Sequence, residues 1–422
     1  TGFGRTGTVD WDITAKTASF TAVSGNGYFI NTTSGVVTMT LPASPSPGDI
    51  VSVKDYAYTF ATNNLIVNRN SSPIGGGTDF NTINYNTDGN FLTFIYVDAT
   101  EGWLITDDST NTTEATDTYI TATGGCSVST VCTNYKVHIF NSPGTFEITA
   151  GQGPVAKVDY LIIAGGGSGN TGTYAGAGGG AGGFRESKCS TTSGCWTASP
   201  LASSTSLGPF SLGSIPVTVG GGGATSSIAN SPSAGSNSSF STITSAGGGK
   251  GGFPCASPCG STQTNANGGS GGGASGYYTV NGGVGNTPTV SPPQGNDGGD
   301  VPGYAGVTTK GGGGGGAGAA GSNASPSNTG PGGAGGNGVA SSITGSPVTR
   351  AGGGAGSADN PGASGQSGGS GGGGPAGGGG SPGNGSSGTA NTGSGGGGAM
   401  SGGGNTGGSG GSGIVIIRYK FQ

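Results

Sequence analysis

The apolar positions fall into short clusters separated by long polar or glycine-rich stretches, and two clusters stand out. Val158-Asp-Tyr-Leu-Ile-Ile-Ala164 opens directly into a glycine run at Gly165, and Ile414-Val-Ile-Ile-Arg-Tyr419 closes the last run. Each reads as a strand, and a strand needs a partner for its ladder. Upstream the pattern is all-β. Tyr28–Asn31 and Val36–Leu41 read as two strands around a Thr-Ser-Gly turn. In the second, Val37, Met39 and Leu41 alternate with Thr38 and Thr40, the period of a half-buried strand. Ile50–Asp55, Leu65–Asn70, Phe91–Val97 and Trp103–Thr106 continue the series, and Pro42, Pro45, Pro47 and Gly48 make a rigid loop. This spacing predicts a β-sandwich or small barrel over 1–106, with residues 1–15 as an arm. Residues 107–118 are Thr-rich and read as a linker. Tyr119–Thr123, Tyr135–Phe140 and Phe146–Thr149 form a small second β-unit over 119–164, expected to share a sheet with Val158–Ala164 and Ile414–Tyr419. Both ends of the glycine-rich region 165–413 then return to one base, and 414–422 is the closing strand.

That region changes the picture. The chain holds 103 glycines in 422 residues, and composition of this kind ordinarily means a disordered linker. Three features oppose disorder: the region exceeds any linker's need, it carries single apolar residues such as Phe184, Phe240 and Phe253, and a strand closes it. The ordered alternative is a bundle of polyglycine II helices. Such a helix has three residues per turn and no internal hydrogen bonds, so its backbone groups must be satisfied by neighbouring helices. Collagen is excluded, because Gly311–Gly316 and Gly377–Gly380 break the Gly-X-Y period. The expected fold is therefore mainly β with a polyglycine II bundle and essentially no α-helix.

Charge and chemistry narrow the function. Net charge is −5 with 13 Lys and Arg, too few for a nucleic-acid surface. No apolar run reaches the ~20 residues of a membrane span. The chain begins at Thr1, which points to processing or to a longer chain. The six cysteines fall into local pairs, Cys126/Cys132, Cys189/Cys195 and Cys255/Cys259, whose spacing suggests three small disulfide loops outside a reducing cytosol. Zinc competes, but the pairs are far apart and His138 is the single histidine. His138, in an alternating strand, reads as structural or solvent-facing. Matches to G-x-G-x-x-G carry no information among so many glycines, and no catalytic pairing or cofactor motif emerges. Asn296-Asp-Gly-Gly-Asp300 resembles half of a calcium-binding nonapeptide turn, but one copy favours an Asx-type turn. The interruptions in the glycine are the candidate binding groups. Tyr174, Trp196, Tyr277, Tyr278 and Tyr304 offer aromatic faces, and Asn281, Asp297 and Asp300 stand near the last three. A ring beside fixed amides can stack on a sugar and bond its hydroxyls, or the same rings can simply cap the stack.

Val158–Gly167, Ala181–Arg185, Val217–Gly223, Gly235–Gly249 and Gly411–Tyr419 resemble the glycine-rich domain of bacteriophage tail fibres and tail-tip adhesins, over about residues 119–422. Val9–Ala18 and Phe20–Lys54 resemble a module of marine-phage structural proteins. The first resemblance implies a polyglycine II sandwich whose distal loops bind the host surface, and the second a shaft or attachment module. The expected function is a non-catalytic virion adhesin, on a tail or surface fibre. Its partners would be a bacterial glycan or outer-membrane protein and other phage tail proteins, with a homotrimer or fibre as the assembly. Two other readings stay open: a purely structural fibre, capsid-fibre or filament subunit, and an ice-binding protein with a polyglycine II bundle.

Overall fold

In the computed structural model, residues 9–78, 82–108, 119–151, 155–170, 175–189, 194, 196–225, 231–253, 266–276, 279–303, 309–327, 329–359, 365–378, 383–402 and 404–422 are described. The fold is mainly β, and no α-helix occurs among those residues. The chain divides into two compact units.

The first unit is built on residues up to Ile120. Its strands are β1 (Asp10–Lys16), β2 (Phe20–Thr21), β3 (Asn26–Ile30), β4 (Val37–Thr40), β5 (Ile50–Asp55), β6 (Leu65–Asn68), β7 (Thr82–Tyr85), β8 (Phe91–Asp98) and β9 (Gly102–Asp108). They form two sheets, ordered β1-β3-β5-β8-β9 and β2-β4-β6-β7. Through β6 the chain changes sheet at every strand, and successive strands within a sheet run parallel. The first half is thus a coil wound between two sheets, and β7, β8 and β9 close it with antiparallel pairs. This corrects the reading of Tyr28–Leu41 as strands about a simple turn: β3 and β4 lie in different sheets. At that corner the Asn31 carboxamide oxygen accepts the Thr33 N–H at 3.0 Å, and the Gly35 N–H reaches the Thr32 carbonyl at 3.1 Å. The alternation seen in sequence does set the core, where Val37, Met39, Leu41, Val51, Val53, Leu65, Val67 and Phe94 are fully buried together. The expected arm at 1–15 includes most of β1.

The second unit holds β10 (Thr121–Thr123), β11 (Ser127–Val131), β12 (Tyr135–Phe140), β13 (Gly144–Ala150), β14 (Asp159–Ile163), β15 (Phe184–Ser187), β16 (Ala202–Ser203), β17 (Gly213–Thr218), β18 (Ser238–Phe240) and β19 (Ile243–Ser245). It continues with β20 (Ser275–Gly276), β21 (Lys310–Gly311), β22 (Val339–Ser341), β23 (Val348–Arg350) and β24 (Ile414–Lys420). Two sheets make a base, ordered β11-β12-β24-β14-β15-β16 and β10-β13-β17-β18-β19. The last strand of the chain is hydrogen-bonded between β12 and β14, antiparallel to both, with Ile416 opposite Ile139 and Leu161. Phe146, Phe240, Tyr419 and His138 pack ring to ring on one side of it. Leu161, Ile163, Ile414 and Ile416 join Phe184, Trp196, Val339 and Ile343 in a second cluster. Being covered on both faces explains why β14 and β24 read as continuous apolar runs. The glycine-rich region is not free of strands, since β15 to β19 return to the base from within it.

Between those returns the glycine runs form a stack. Gly176, Gly179 and Gly182 donate to Ala399, Gly396 and Gly393; Gly178 and Ala181 donate to Gly312 and Gly315; Gly180 and Gly183 donate to Gly249 and Ala246. Partners therefore change with a period of three residues, as in a helix with three residues per turn. The carbonyls repeat the pattern. Those of Ala177 and Gly180 accept from Asn170 and Gly167, those of Gly178 and Ala181 from Gly273 and Ser270, and those of Gly176 and Gly179 from Ser357 and Gly354. Six neighbouring runs thus surround residues 175–183, at donor–acceptor distances of 2.7–3.1 Å. Residues 311–317 are enclosed in the same way, by runs 351–357, 271–274, 319–322, 178–181, 296–299 and 333–336. Such packing leaves no room for a side chain on the inward positions. A methyl group on Gly179 would sit 2.1 Å from the Gly167 carbonyl oxygen, and one on Gly314 would sit 2.0 Å from that of Gly179.

Candidate functional site

The stack has a base end and a far end. Residues 164–170 leave β14, and 175–183 return to β15, which pairs with β14 through Ile163 and Phe184. Seven residues at ~3.1 Å each carry the chain about 20 Å from the base before it turns. The residues flanking several of the candidate tyrosines meet at this far end. Ala175, which follows Tyr174, donates its N–H to the Thr309 hydroxyl at 2.9 Å and accepts the Ser275 hydroxyl at 2.7 Å. Gly276, which precedes Tyr277 and Tyr278, pairs with Lys310 in the short β20–β21 ladder. Gly303, which precedes Tyr304, donates to the hydroxyl of Thr279 at 3.1 Å, and Val280 and Val301 pair beneath them. Tyr174, Tyr277, Tyr278 and Tyr304 themselves lie outside the described residues. Lys310 is buried at this end, with its ammonium donating to the carbonyls of Ser325 and Ser327. Burial holds that ammonium below the usual lysine range.

Trp196 does not join this group. It is 7% exposed and packs in the apolar cluster of the base, with Lys188 and Arg418 each 5.7 Å from its ring. Asn281 is exposed on the run that descends from the far end. Asp297 and Asp300 are spent within the stack. The Asp297 carboxylate accepts the Gly285 N–H at 2.7 Å, and that of Asp300 accepts the Gly282 N–H at 2.8 Å. Both pairs are three residues apart, so the two carboxylates line one side of a helix and serve its neighbour. The expected Asx-type turn at Asn296–Asp300 is therefore replaced by a straight run of the stack.

This role recurs, and sequence reasoning missed it. Asn237 accepts from Gly247, Asn267 from Val284, Asn323 from Asp300, Asn337 from Ser370 and Asn384 from Thr406, at 2.8–3.0 Å. Each carboxamide takes a backbone N–H that would otherwise need a further helix. The signal available was the recurrence of single asparagines within or beside glycine runs.

The cysteines correct another expectation. Cys126 and Cys132 flank β11, whose extended backbone separates them by six residues, or about 20 Å at ~3.3 Å per residue. A disulfide tolerates a Cα separation of about 7 Å at most, so this pair is not bridged. The Cys126 thiol instead donates to the Ile139 carbonyl at 3.1 Å, and an Arg418 Nη2 lies 3.7 Å from the Cys132 sulfur. The Cys189 N–H points at the buried Asp159 carboxylate, at 3.3 Å. Cys195, Cys255 and Cys259 lie outside the described residues.

His138 is fully buried between Gly124 and Tyr419. Its Nδ1 is 2.7 Å from the Gly124 carbonyl, so that nitrogen carries the proton, and Nε2 accepts the Tyr419 hydroxyl at 3.0 Å. Burial lowers the imidazole's pKa, against the Gly124 bond, and Lys136 adds to the lowering. Burial also pushes the Tyr419 phenol up to about 12, which keeps it a donor. No group of three or more His, Cys, Asp or Glu that could hold a metal occurs among the described residues. No helix among them is long and apolar enough to cross a membrane.

A family described as a glycine-rich domain matches residues 141–420. No curated protein matches the chain.

Proposed function

The chain belongs to the glycine-rich domain family, and on that premise we propose that it is a virion adhesin whose stack presents receptor-binding loops at its far end. The observation that carries this reading is the convergence there of the residues flanking Tyr174, Tyr277, Tyr278 and Tyr304. The described neighbours of these tyrosines, Ala175, Gly276, Thr279 and Gly303, all belong to one end of a hydrogen-bonded body. Tyrosine rings supply large contact area with few rotatable bonds, suited to stacking on sugar faces or filling apolar pockets of an outer-membrane protein. The reaction class is recognition, with no bond made or broken. The receptor is a glycan or a protein of a bacterial surface, the site of action is the virion exterior, and several copies on a particle supply avidity.

Replacing Tyr277, Tyr278 and Tyr304 together by Ala tests the reading. The expected result is a folded protein that no longer adsorbs to host cells and no longer competes with virions for them. A folded triple variant that still binds would remove these tyrosines from the receptor site.

A further inference from the structure

A second set of aromatic rings lies in the first unit, on the outer face of the β1-β3-β5-β8-β9 sheet. The core side chains Tyr28, Ile30, Val51 and Val53 fix which positions point inward. Gly27 and Phe29 of β3 therefore face outward, as do their register partners Trp11, Lys54 and Phe91. Phe29, Lys54 and Phe91 stand side by side on three adjacent strands. The Trp11 indole lies over Gly27, where an added methyl group would come within 2.7 Å of its ring. Its centroid is 4.9 Å from that of Phe29 and 6.1 Å from that of Phe91, with ring planes tilted by 35° and 30°. The three rings thus make a tilted platform, with the indole packed against Phe29 and neither pair edge-to-face, and each is half-buried. At its border Tyr58 is 65% exposed and rests above the Lys54 ammonium at 5.4 Å.

We propose that this platform binds an acidic glycan. An indole laid across a rigid sheet and backed by two tilted phenyl rings offers an aromatic surface on which the C–H face of a pyranose stacks. The charged member of the Phe29–Lys54–Phe91 row is a cation. Lys54 places one N–H on the Gly89 carbonyl at 2.6 Å, and an ammonium has two further donors for a sugar carboxylate. A uronate ring satisfies both features, with its face on the indole and its carboxylate toward Lys54. The Tyr58 hydroxyl stands at the same border for a ring hydroxyl. This site belongs to the first unit and uses none of the tyrosines proposed for the receptor.

The test uses the full chain and tryptophan fluorescence. Trp103 is fully buried and Trp196 nearly so, which makes Trp11 the indole that responds to a surface ligand. Oligogalacturonate and oligoalginate tetramers are titrated, with cellotetraose and chitotetraose as neutral comparators. The expected result is saturable protection of Trp11 from acrylamide quenching by an acidic tetramer, weakened by salt. Phe91→Ala should lower affinity about three- to tenfold, the loss of one supporting ring. Gly27→Ala, which displaces the indole without removing it, should do the same, and Lys54→Gln should abolish the preference for acidic over neutral sugars. The Tyr277/Tyr278/Tyr304 triple variant should bind as well as the parent. No protection by any tetramer at millimolar concentration, or equal affinity in Phe91→Ala and Gly27→Ala variants that remain folded, would overturn the site. Equal binding of neutral and acidic tetramers would overturn the role given to Lys54.

Discussion

A glycine in this protein is defined by how close the next backbone comes. At Gly179 an added methyl group meets a carbonyl oxygen at 2.1 Å, and the obstacle is backbone that cannot swing aside. Gly221 lies on the perimeter, and nothing falls within 4 Å of the same position. Gly179→Ala is therefore expected to cost about 3 kcal/mol or more, and Gly221→Ala to be neutral or to stabilise by up to about 1 kcal/mol through the unfolded state. Chemical denaturation of the two variants checks the contrast. The perimeter asparagines belong to the same scale. Asn237→Ala removes the acceptor of the Gly247 N–H at an exposed position where water can replace it, so the expected loss is about 1 kcal/mol. His138 makes a pH-dependent contribution. Its folded pKa is lowered, so below about pH 6.5 the unfolded chain binds the proton more readily than the folded one. Stability then falls on acidification through that window, by up to about 1.4 kcal/mol per pH unit, and a His138→Gln variant should lose this component in melts run from pH 7.5 to 5. None of these roles could be read from residue type alone. An Asn beside glycines looks the same whether it faces a receptor or caps a helix, because the difference lies in which neighbour is missing.

Strands were legible where one or both faces are buried and illegible where they are not. The alternation of Val37, Met39 and Leu41 and the continuous runs of β14 and β24 mark their own elements. β11, with the sequence Ser-Val-Ser-Thr-Val and four of its five residues exposed, leaves no such mark. The coil of the first unit was hidden for another reason. A period of two specifies which side chains turn inward, and it is the same for a hairpin and for strands that pass to opposite sheets. The extended form of β11 yields a prediction at this scale: peptide mapping under non-reducing conditions should find no Cys126–Cys132 link. β24 yields another. Ile416 is fully buried between two partner strands, and Ile416→Ala should cost about 3 kcal/mol, read as a lower denaturation midpoint.

For the whole molecule, the central claim is that the glycine runs are ordered chiefly by hydrogen bonds between their backbones. Composition argues the other way, since a chain with so little apolar surface cannot offset the entropy of ordering glycine by burial. The compensation comes from lateral hydrogen bonds, six neighbours to each inner run, anchored where the chain's last strand enters the base. The pairing of both ends was visible in the sequence, because β14 and β24 are apolar enough to demand each other. The six-neighbour arrangement was not, because runs of one residue type carry no register. Hydrogen exchange of the native chain, resolved to the peptides covering 165–170, 176–183 and 311–317, tests this most directly. Protection there approaching that of β14 and β24 is the predicted result. Exchange at the rate of an unstructured glycine chain would contradict it.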